Sequence, residues 1–542
     1  MGNRAFQKGF FPTKQFCNSS SFYPDRSTMK IAALNTIRRL EKQAHDALKP
    51  GEKSLMEKAS LLCAEYIHAF KQSRDALKNL DIVIFAGKGN NGGDGILCGG
   101  CLNALYNEKV TIYSLQHPKD MSDEIRRHFF SLPSAVSVKF IANDGQMTDI
   151  LKPCLIVDAL LGIGFKGELR GSAEKIVNFI NSVNLPVVSI DIPSGIECDS
   201  GIGKNAVFAD MTITVGAEKK GLYLADGRIH SGTVKFADIG FDLTEIDENE
   251  VEFEVIPSDL PNKFFTRPQT EFYKQKNGRL LIAGGSKTYP GAAVLSILGA
   301  NAAGCGLLTA AIKARPFCTL PPSVIARDFS ADGAECFNEN DITELVKIAG
   351  NQDAVVFGMG VTANADTGKV LQSLIQLPQT LILDADALNI IAMFPEIWQK
   401  KSHNNIIITP HSQEALRLAK AFKISGFETM PRYKQSEILA QTLNCTVVLK
   451  GDKTLISSPN CRTWVNQCGS YALAKGGSGD ILSGIIGALS AKNKKYPPHY
   501  AAALGVFIHS ASADFAAQSR SAFDINTLPD AVQQYINSIT IF

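Results

Sequence analysis

Short, almost wholly apolar runs alternating with helical segments constrain this chain more than any other feature. DIVIFAG (81–87), KVTIYSL (109–115), CLIVDAL (154–160), LPVVSIDI (185–192) and MTITVGA (211–217) form a first series. A strand that is apolar on both faces has to be covered on both, so the series predicts a parallel sheet between two layers of helices. Before it, from Ile31 through Phe70, apolar and charged residues recur at helical spacing, and after it TVKFADIG (233–240) reads as a hairpin-like tail. A second series begins at GRLLIAGGS (278–286) and continues through DAVVFGMG (353–360), TLILDADAL (380–388), NIIITPH (405–411) and CTVVLKGD (445–452). No internal repeat links the two, and 542 residues are too many for one core, so two different α/β domains are expected. The acidic stretch 242–254 and prolines 257, 261 and 268 mark the junction. The expected boundaries are an extension over 1–28, a first domain over 29–245, a linker over 246–264 and a second domain over 265–542.

Lysine and arginine exceed aspartate and glutamate by only 2, so no electrostatic footprint points to nucleic acid or an anionic membrane. Twelve cysteines scattered through the chain fit a reduced compartment better than a disulfide scaffold. Cys98-Gly-Gly-Cys101 is the lone CxxC, with no second half of a zinc site, and reads as buried small residues. The uncharged segment 288–312 is long enough to span a bilayer, but its Gly, Ala and Asn content favours a small-residue helix leading into the strand LLTAAI. Residues 1–28 are basic and lack the apolar core of a secretory signal. A tail or an upstream start accounts for them better than a transit peptide.

Ligands of open parallel sheets bind at the carboxyl ends of the strands. Strand 81–87 runs into Gly87-Lys-Gly-Asn90-Asn91-Gly92-Gly93-Asp94-Gly95, a glycine-rich turn opening a helix, where backbone can approach a phosphate. A dehydrogenase would place an acid at the end of the next strand for the ribose. Gln116 and His117 stand there instead. Two further strand ends carry Asp158, before ALLGIGFKG, and Asp191, before Ile-Pro-Ser194-Gly. Amide, hydroxyl and carboxylate oxygens from three neighbouring loops suit a hard monovalent cation.

AGKGNNGGDG, VDALLGIGFKG and SIDIPSGIECDSG, with LMEKAS (55–60) and AEKKGL (217–222), resemble the NAD(P)H-hydrate epimerase family over residues 29–245. The resemblance implies a Rossmann-like three-layer αβα fold. It implies that Asn90, Asn91, Gly92, Gly93 and Asp94 hold the hydrated nucleotide, with Gly162, Ile163, Gly164, Phe165, Lys166, Gly167, Glu168 and Asp191 completing the site. It also implies K⁺ on Asn91, Asp158 and Ser194. Ile163 and Phe165 stand where the family pattern has Thr and Leu. Asp191 is the candidate acid/base for inversion at C6 of the damaged ring. A role confined to hydrogen-bonding substrate or capping its loop remains open for it.

In the second half, Ala474-Lys-Gly476-Gly477-Ser478-Gly479-Asp480 precedes the helical run ILSGIIGALSA. Small residues at a helix N-terminus present a row of N–H donors to a phosphate, and Asp480 in the first turn can take a proton from a hydroxyl beside them. Complementing the helix dipole is the alternative role for that residue. GGSGD is similar to the anion-hole and base motif of ribokinase-like folds. With GRLLIAGGSKTYPGAA, LDADALNII, ITPHSQEALRL and VLKGDKTLI it resembles the NAD(P)H-hydrate dehydratase family over 265–542. That resemblance implies a ribokinase-like α/β domain and adenine nucleotide (ADP or ATP) on Lys450, Gly451, Asp452, Lys453, Thr454, Gly476, Gly477, Ser478 and Gly479. The hydrate would meet Ala292, Gly360, His411 and Glu414, with Asp480 as the acting carboxylate and Mg²⁺ assisting phosphoryl transfer. Tyr471 and Lys475 depart from the family pattern. His411 has an equal reading as a capping residue, and Asp384 and Asp386 read first as helix caps and second as contacts to metal-bound water.

Together the resemblances imply a fused metabolite-repair enzyme. Its substrates would be NADHX, NADPHX and an adenine nucleotide, with no nucleic acid or membrane partner, and it would be a cytoplasmic homo-oligomer. The alternatives are a ribokinase-like small-molecule kinase with an accessory dinucleotide-binding domain, and a nucleotide-sensing scaffold. The intact Asp191 and Asp480 count against the scaffold.

Overall fold

The structure, a computed structural model, describes residues 29–141, 152–257, 260–265, 277–314, 319–469, 473–492, 494–517 and 524–539. The extension 1–28 and Tyr471 lie outside the described residues. The chain divides into two compact units, one centred on Lys30–Val251 and the other on Glu252–Phe542.

The first unit is built on a seven-stranded sheet. Its order is Ser137–Phe140, Val110–Ser114, Asp81–Ala86, Cys154–Ala159, Val187–Ile190, Met211–Val215 and Thr233–Ala237. Every neighbouring pair is parallel. Alternation along the central strand sorts its side chains into two cores. Ile82 and Ile84 pack with Ile67 and Leu97 on one face, while Val83 and Phe85 pack with Ile176 and Ile180 on the other. Chain direction across the sheet reverses between Asp81–Ala86 and Cys154–Ala159, which opens a crevice at their carboxyl ends.

Two expectations need correcting here. Thr233–Ala237 lies parallel to Met211–Val215, joined by a crossover that holds the short helix Gly227–His230, so it is no hairpin. The first element among the described residues is a strand, Met29–Ala32, in which Ile31 and Ala32 are buried. Ile31 pairs with Glu218 and Ala32 with Lys219, in parallel, before the helix Leu34–Asp46 begins. Cys98 and Cys101 are buried in the helix Asn90–Tyr106, and burial pushes the Cys101 thiol up to about 12, so the CxxC is core.

The second unit repeats the reversal. Its sheet runs Ile325–Asp328, Leu307–Ile312, Arg279–Gly284, Ala354–Phe357, Thr380–Leu383, Ile406–Ile408 and Thr446–Leu449, all parallel. Antiparallel Leu455–Ser457 and Thr463–Val465 extend it, and Phe253–Val255 adds to Thr463–Val465 in parallel. The apolar segment 288–312 resolves into the helix Pro290–Ala302 and the strand Leu307–Ile312. That helix packs on Ser478–Lys492 so closely that a Cβ on Gly484 would strike the Ser296 carbonyl, and one on Gly299 the Ile481 carbonyl. Backbone contact of this kind explains the density of small residues. Among the described residues no helix is long and apolar enough to cross a membrane.

Candidate functional site

In the first unit the crevice is a cavity of about 1160 Å³. It is lined by Asn90, Asn91 and Asp94 from the glycine-rich turn, Leu160 to Phe165 from the following strand end, and Asp191 and Lys219. Asp191 follows the strand Val187–Ile190 with φ of 72°, a strained value for a side-chain-bearing residue, and its N–H donates to Ile213 O at 2.7 Å. The Lys219 ammonium, only 1% exposed, lies 2.6 Å from Asp191 Oδ1 and also donates to the carbonyls of Val215 and Ala217. Burial pushes the Asp94 carboxyl well up, and the charges of Asp191, Glu41 and Glu124 push the same way against Lys219. Glu41, from the helix Leu34–Asp46, is raised by burial and by Asp191. Two carboxyls held toward the protonated form thus face a third that is ion-paired.

Behind this floor Asp158 is fully buried. It accepts from Ser189 Oγ at 2.8 Å, Ser194 N–H at 2.9 Å, Ser194 Oγ at 2.6 Å and Leu160 N–H at 3.2 Å. Asn91 Nδ2 donates to Leu161 O at 2.8 Å and Ile190 O at 3.2 Å, and Ser194 Oγ lies 3.4 Å from the same Leu161 O. Asn91 Oδ1 is buried with no hydrogen-bond partner.

The second unit gathers charge around Lys450, which follows the strand Thr446–Leu449. Its Nζ lies 2.7 Å from Asp384 Oδ1 and 4.0 Å from Glu414 Oε2, and 3.3 Å from where a Cβ on Gly479 would stand. Burial works against this ammonium, yet Asp384, Glu414 and Asp480 outweigh it and hold its pKa above the ordinary lysine value. Asp480, in the first turn of Ser478–Lys492, is lifted to about 7 by burial and the charge of Asp384, with Lys450 opposing. Buried His509 contacts Ser478 Oγ at 3.2 Å and Ser478 O at 3.1 Å, bracing the start of that helix. Gly360 has φ of 63°, and a Cβ there would lie 2.7 Å from Tyr289 Cβ and 3.0 Å from Ala292 Cβ. The Arg432 guanidinium donates to Lys450 O at 3.0 Å and Lys453 O at 3.1 Å, holding the 449–453 turn from below.

Both halves match known families. The YjeF-related N-terminal family model matches residues 52–221, and the NAD(P)H-hydrate dehydratase model matches residues 280–537. The bifunctional NAD(P)H-hydrate repair enzyme Nnr of Moorella thermoacetica is 31% identical, over 86% of this chain and 88% of its own. Its counterpart in Escherichia coli is 31% identical over 88% of each. The chain belongs to the bifunctional NAD(P)H-hydrate repair enzyme family. Among solved structures, the ADP/ATP-dependent NAD(P)H-hydrate dehydratase of Bacillus subtilis, co-crystallised with ATP and Mg²⁺, is 24% identical. It covers 52% of this chain and 98% of its own, with a TM-score of 0.41.

In this family member the predicted residues are distributed unevenly. Asn90, Asn91, Asp94, Gly162, Ile163, Gly164, Phe165 and Asp191 all line the cavity. Gly92 and Gly93 face inward, Gly93 so tightly that a Cβ would meet Met56 Cε at 2.7 Å. Lys166, Gly167 and Glu168 are exposed outside the lining, and the Gly167 N–H donates to Glu197 at 2.8 Å. Asn91, Asp158 and Ser194 converge about Leu161. His411 caps the helix Ser412–Ala421: its Nδ1 accepts from Gln413 N–H at 3.1 Å and Glu414 N–H at 3.4 Å, while Glu414 Oε2 accepts from the His411 N–H at 2.8 Å. That fixes the proton on Nε2, which lies 3.4 Å from Glu414 Oε1. Asp384 pairs with Lys450 and Asp386 Oδ2 accepts from Thr362 N–H at 3.0 Å, and the helix Asp386–Met393 has no side-chain cap, so neither residue is the helix cap expected of it. Asp452 stands 3.7 Å from Arg432, Lys453 reaches Gln467 O at 3.2 Å, and Thr454 Oγ1 bonds Gly451 O at 3.1 Å. Gly476 is exposed ahead of the helix, and Gly477, Ser478 and Gly479 lead into it. Sequence reasoning passed over Lys219, Glu41, Arg432 and His509. The AEKKGL match was the one signal that could have raised Lys219.

Proposed function

We propose that the chain repairs hydrated NADH and NADPH, inverting C6 at the first site and dehydrating the S hydrate at the second with ADP or ATP. At the first site the ion-paired Asp191 carboxylate removes the proton of the C6 hydroxyl as the ring C–N bond opens. Asp94, held toward its protonated form, supplies a proton to the departing nitrogen. The reverse transfers reclose the ring on either face. Lys219 orients Asp191 and balances its charge.

The unpartnered Asn91 Oδ1, with Ser194 Oγ and the Asp158 charge behind it, fits a monovalent cation. K⁺ bound there would supply positive charge beside the hydrate oxygen. Asp158, whose oxygens already take four donors, contributes mainly its charge.

The observation that carries the second reaction is Asp480, raised to about 7 at a helix N-terminus beside Lys450. Asp480 takes the C6 hydroxyl proton, and the oxygen attacks the terminal phosphate, whose charge meets the N–H groups of Gly477–Gly479 and the Lys450 ammonium. Loss of phosphate from C6 and of a proton from C5 restores the dihydropyridine, leaving AMP or ADP and phosphate. Among the described residues no cluster of His, Cys, Asp or Glu is built to hold a metal by itself. Mg²⁺ would be carried on the nucleotide phosphates, where Asp384 or Asp386 could accept from its water shell and the ion would offset the charge on the transferring phosphate. Free thiols at all ten described cysteines support a reducing cytoplasm. The family resemblance supports a homo-oligomer.

An epimeric mixture of NADH hydrate, followed by recovery of near-ultraviolet dihydronicotinamide absorbance, tests both steps at once. Complete recovery that needs ADP or ATP and is lost in Asp480→Asn is the expected result. Absence of recovery with any nucleotide would overturn the proposal in favour of a small-molecule kinase.

A further inference from the structure

The helix Leu34–Asp46 lies ahead of the residues matched by the N-terminal family model. Yet one of its faces forms a wall of the first cavity: Ile37, Arg38, Glu41, Lys42 and His45 all line it, at the spacing of successive turns. Leu34, Ile37 and Leu40 are buried, while Arg38 and Lys42 keep their charges in solvent at the mouth. The Arg38 guanidinium reaches the opposite lip, 4.0 Å from where a Cβ on Gly164 would stand. Exposed Lys88 and Arg170 line the same cavity. Among the described residues, none of these four cations is tied into an ion pair or a side-chain hydrogen bond.

Charge is therefore graded along the cavity. Asp94 and Asp191 sit with buried Lys219, where a proton must move, and Glu41 and Glu124 also line the cavity. The exposed Arg38, Lys42, Lys88 and Arg170 stand outside any ion pair among the described residues. A dinucleotide is graded in the matching sense, with an uncharged ring at one end and phosphates toward the other. The volume, about 1160 Å³, is more than a nicotinamide ring alone would need. The helix is also held in place relative to the chemistry. Ala32, two residues before it, pairs with Lys219, Leu34 N–H donates to Asp199 at 2.7 Å, and Thr36 Oγ1 donates to Glu250 at 2.7 Å.

We infer that Arg38 and Lys42 are substrate-recognition residues of the epimerase site, binding the phosphates of the hydrated dinucleotide while its ring lies against Asp191 and Asp94. This rests on the epimerase reading above and adds a binding element to it.

The test compares epimerisation of NADPHX with that of hydrated reduced nicotinamide riboside, which has the same reacting ring and no phosphate. It uses the full chain and its Arg38→Glu/Lys42→Glu variant. The variant should lose at least about tenfold in kcat/KM on NADPHX, chiefly through KM, with a flatter dependence on salt. The riboside hydrate should be turned over within about twofold of wild type. Arg38→Lys/Lys42→Arg should recover most of the loss on NADPHX. An equal loss on both substrates, or no loss on either, would overturn the inference. A wild-type chain that epimerised neither hydrate would overturn the epimerase reading itself.

Discussion

Lys450 Nζ is 2.7 Å from Asp384 Oδ1, and the same ammonium lies beside Gly479, one residue before Asp480. One cation thus links the ends of two strands, Thr380–Leu383 and Thr446–Leu449, that flank Ile406–Ile408 in the sheet, and the first turn of a helix. Burial raises Asp480 most, the charge of Asp384 adds to that and the charge of Lys450 opposes it, so the pair adjusts the pH at which Asp480 loses its proton.

In the proposed mechanism dehydration needs Asp480 unprotonated, and burial and Asp384 lift its pKa to about 7. Turnover at subsaturating substrate should rise roughly tenfold per pH unit below that value and level off above it. Asp384→Asn removes a charge that raises Asp480, so the inflection should move to lower pH. Asp480→Asn should cost about 10²–10⁴-fold on the plateau above that pH and flatten the profile below it. A pH–rate profile for the three proteins reads all of this.

Lys219→Met removes the partner of Asp191 from a place where the lysine is 1% exposed. Stranding the carboxylate should destabilise the first unit by about 3–5 kcal/mol and reduce epimerisation by at least about a hundredfold. Urea denaturation and an assay of R-hydrate conversion check the two effects separately.

Gly360→Ala places a methyl group against Tyr289 at a backbone φ of 63°. Strain and overlap should cost about 1–3 kcal/mol and raise the KM for the hydrate. Thermal melting followed by steady-state kinetics measures both.

Replacing Na⁺ by K⁺ should raise the melting temperature of the first unit, and Asn91→Ala should abolish the difference, since Asn91 Oδ1 is the buried oxygen left without a partner. Differential scanning calorimetry in the two chlorides is the measurement.

Native alkylation should modify Cys461, which is exposed, well before Cys63, Cys98 or Cys101, whose thiols are buried and pushed upward by that burial. Peptide mass spectrometry at short times distinguishes them.

Much of this was legible in the residues. Central strands such as Asp81–Ala86 and Ala354–Phe357 are apolar on both faces, and Asn91, Asp158, Asp191 and Gly360 stand at or just past the carboxyl ends of such strands. Ile325–Asp328 escaped notice because it is an exposed edge strand with none of that pattern. Thr233–Ala237 is no hairpin arm because residues 216–232 between it and Met211–Val215 are long enough for a parallel crossover, and the four-residue helix Gly227–His230 within them is too short to show a helical period. Lys219 and Lys220 stand side by side, and only the fold turns one of them inward to Asp191. Arg432 acts through backbone carbonyls, and no spacing of side chains announces such a contact.

The ladder joining Ala32 to Lys219 has a consequence for a chain still emerging from the ribosome. At roughly 5–20 residues per second, roughly ten to forty seconds separate the synthesis of the two strands. Throughout that interval the Leu34–Asp46 helix has no ladder to anchor it. A segment made early is thus secured late, and the Leu34–Asp46 helix should lock into place only once Lys219 has been made.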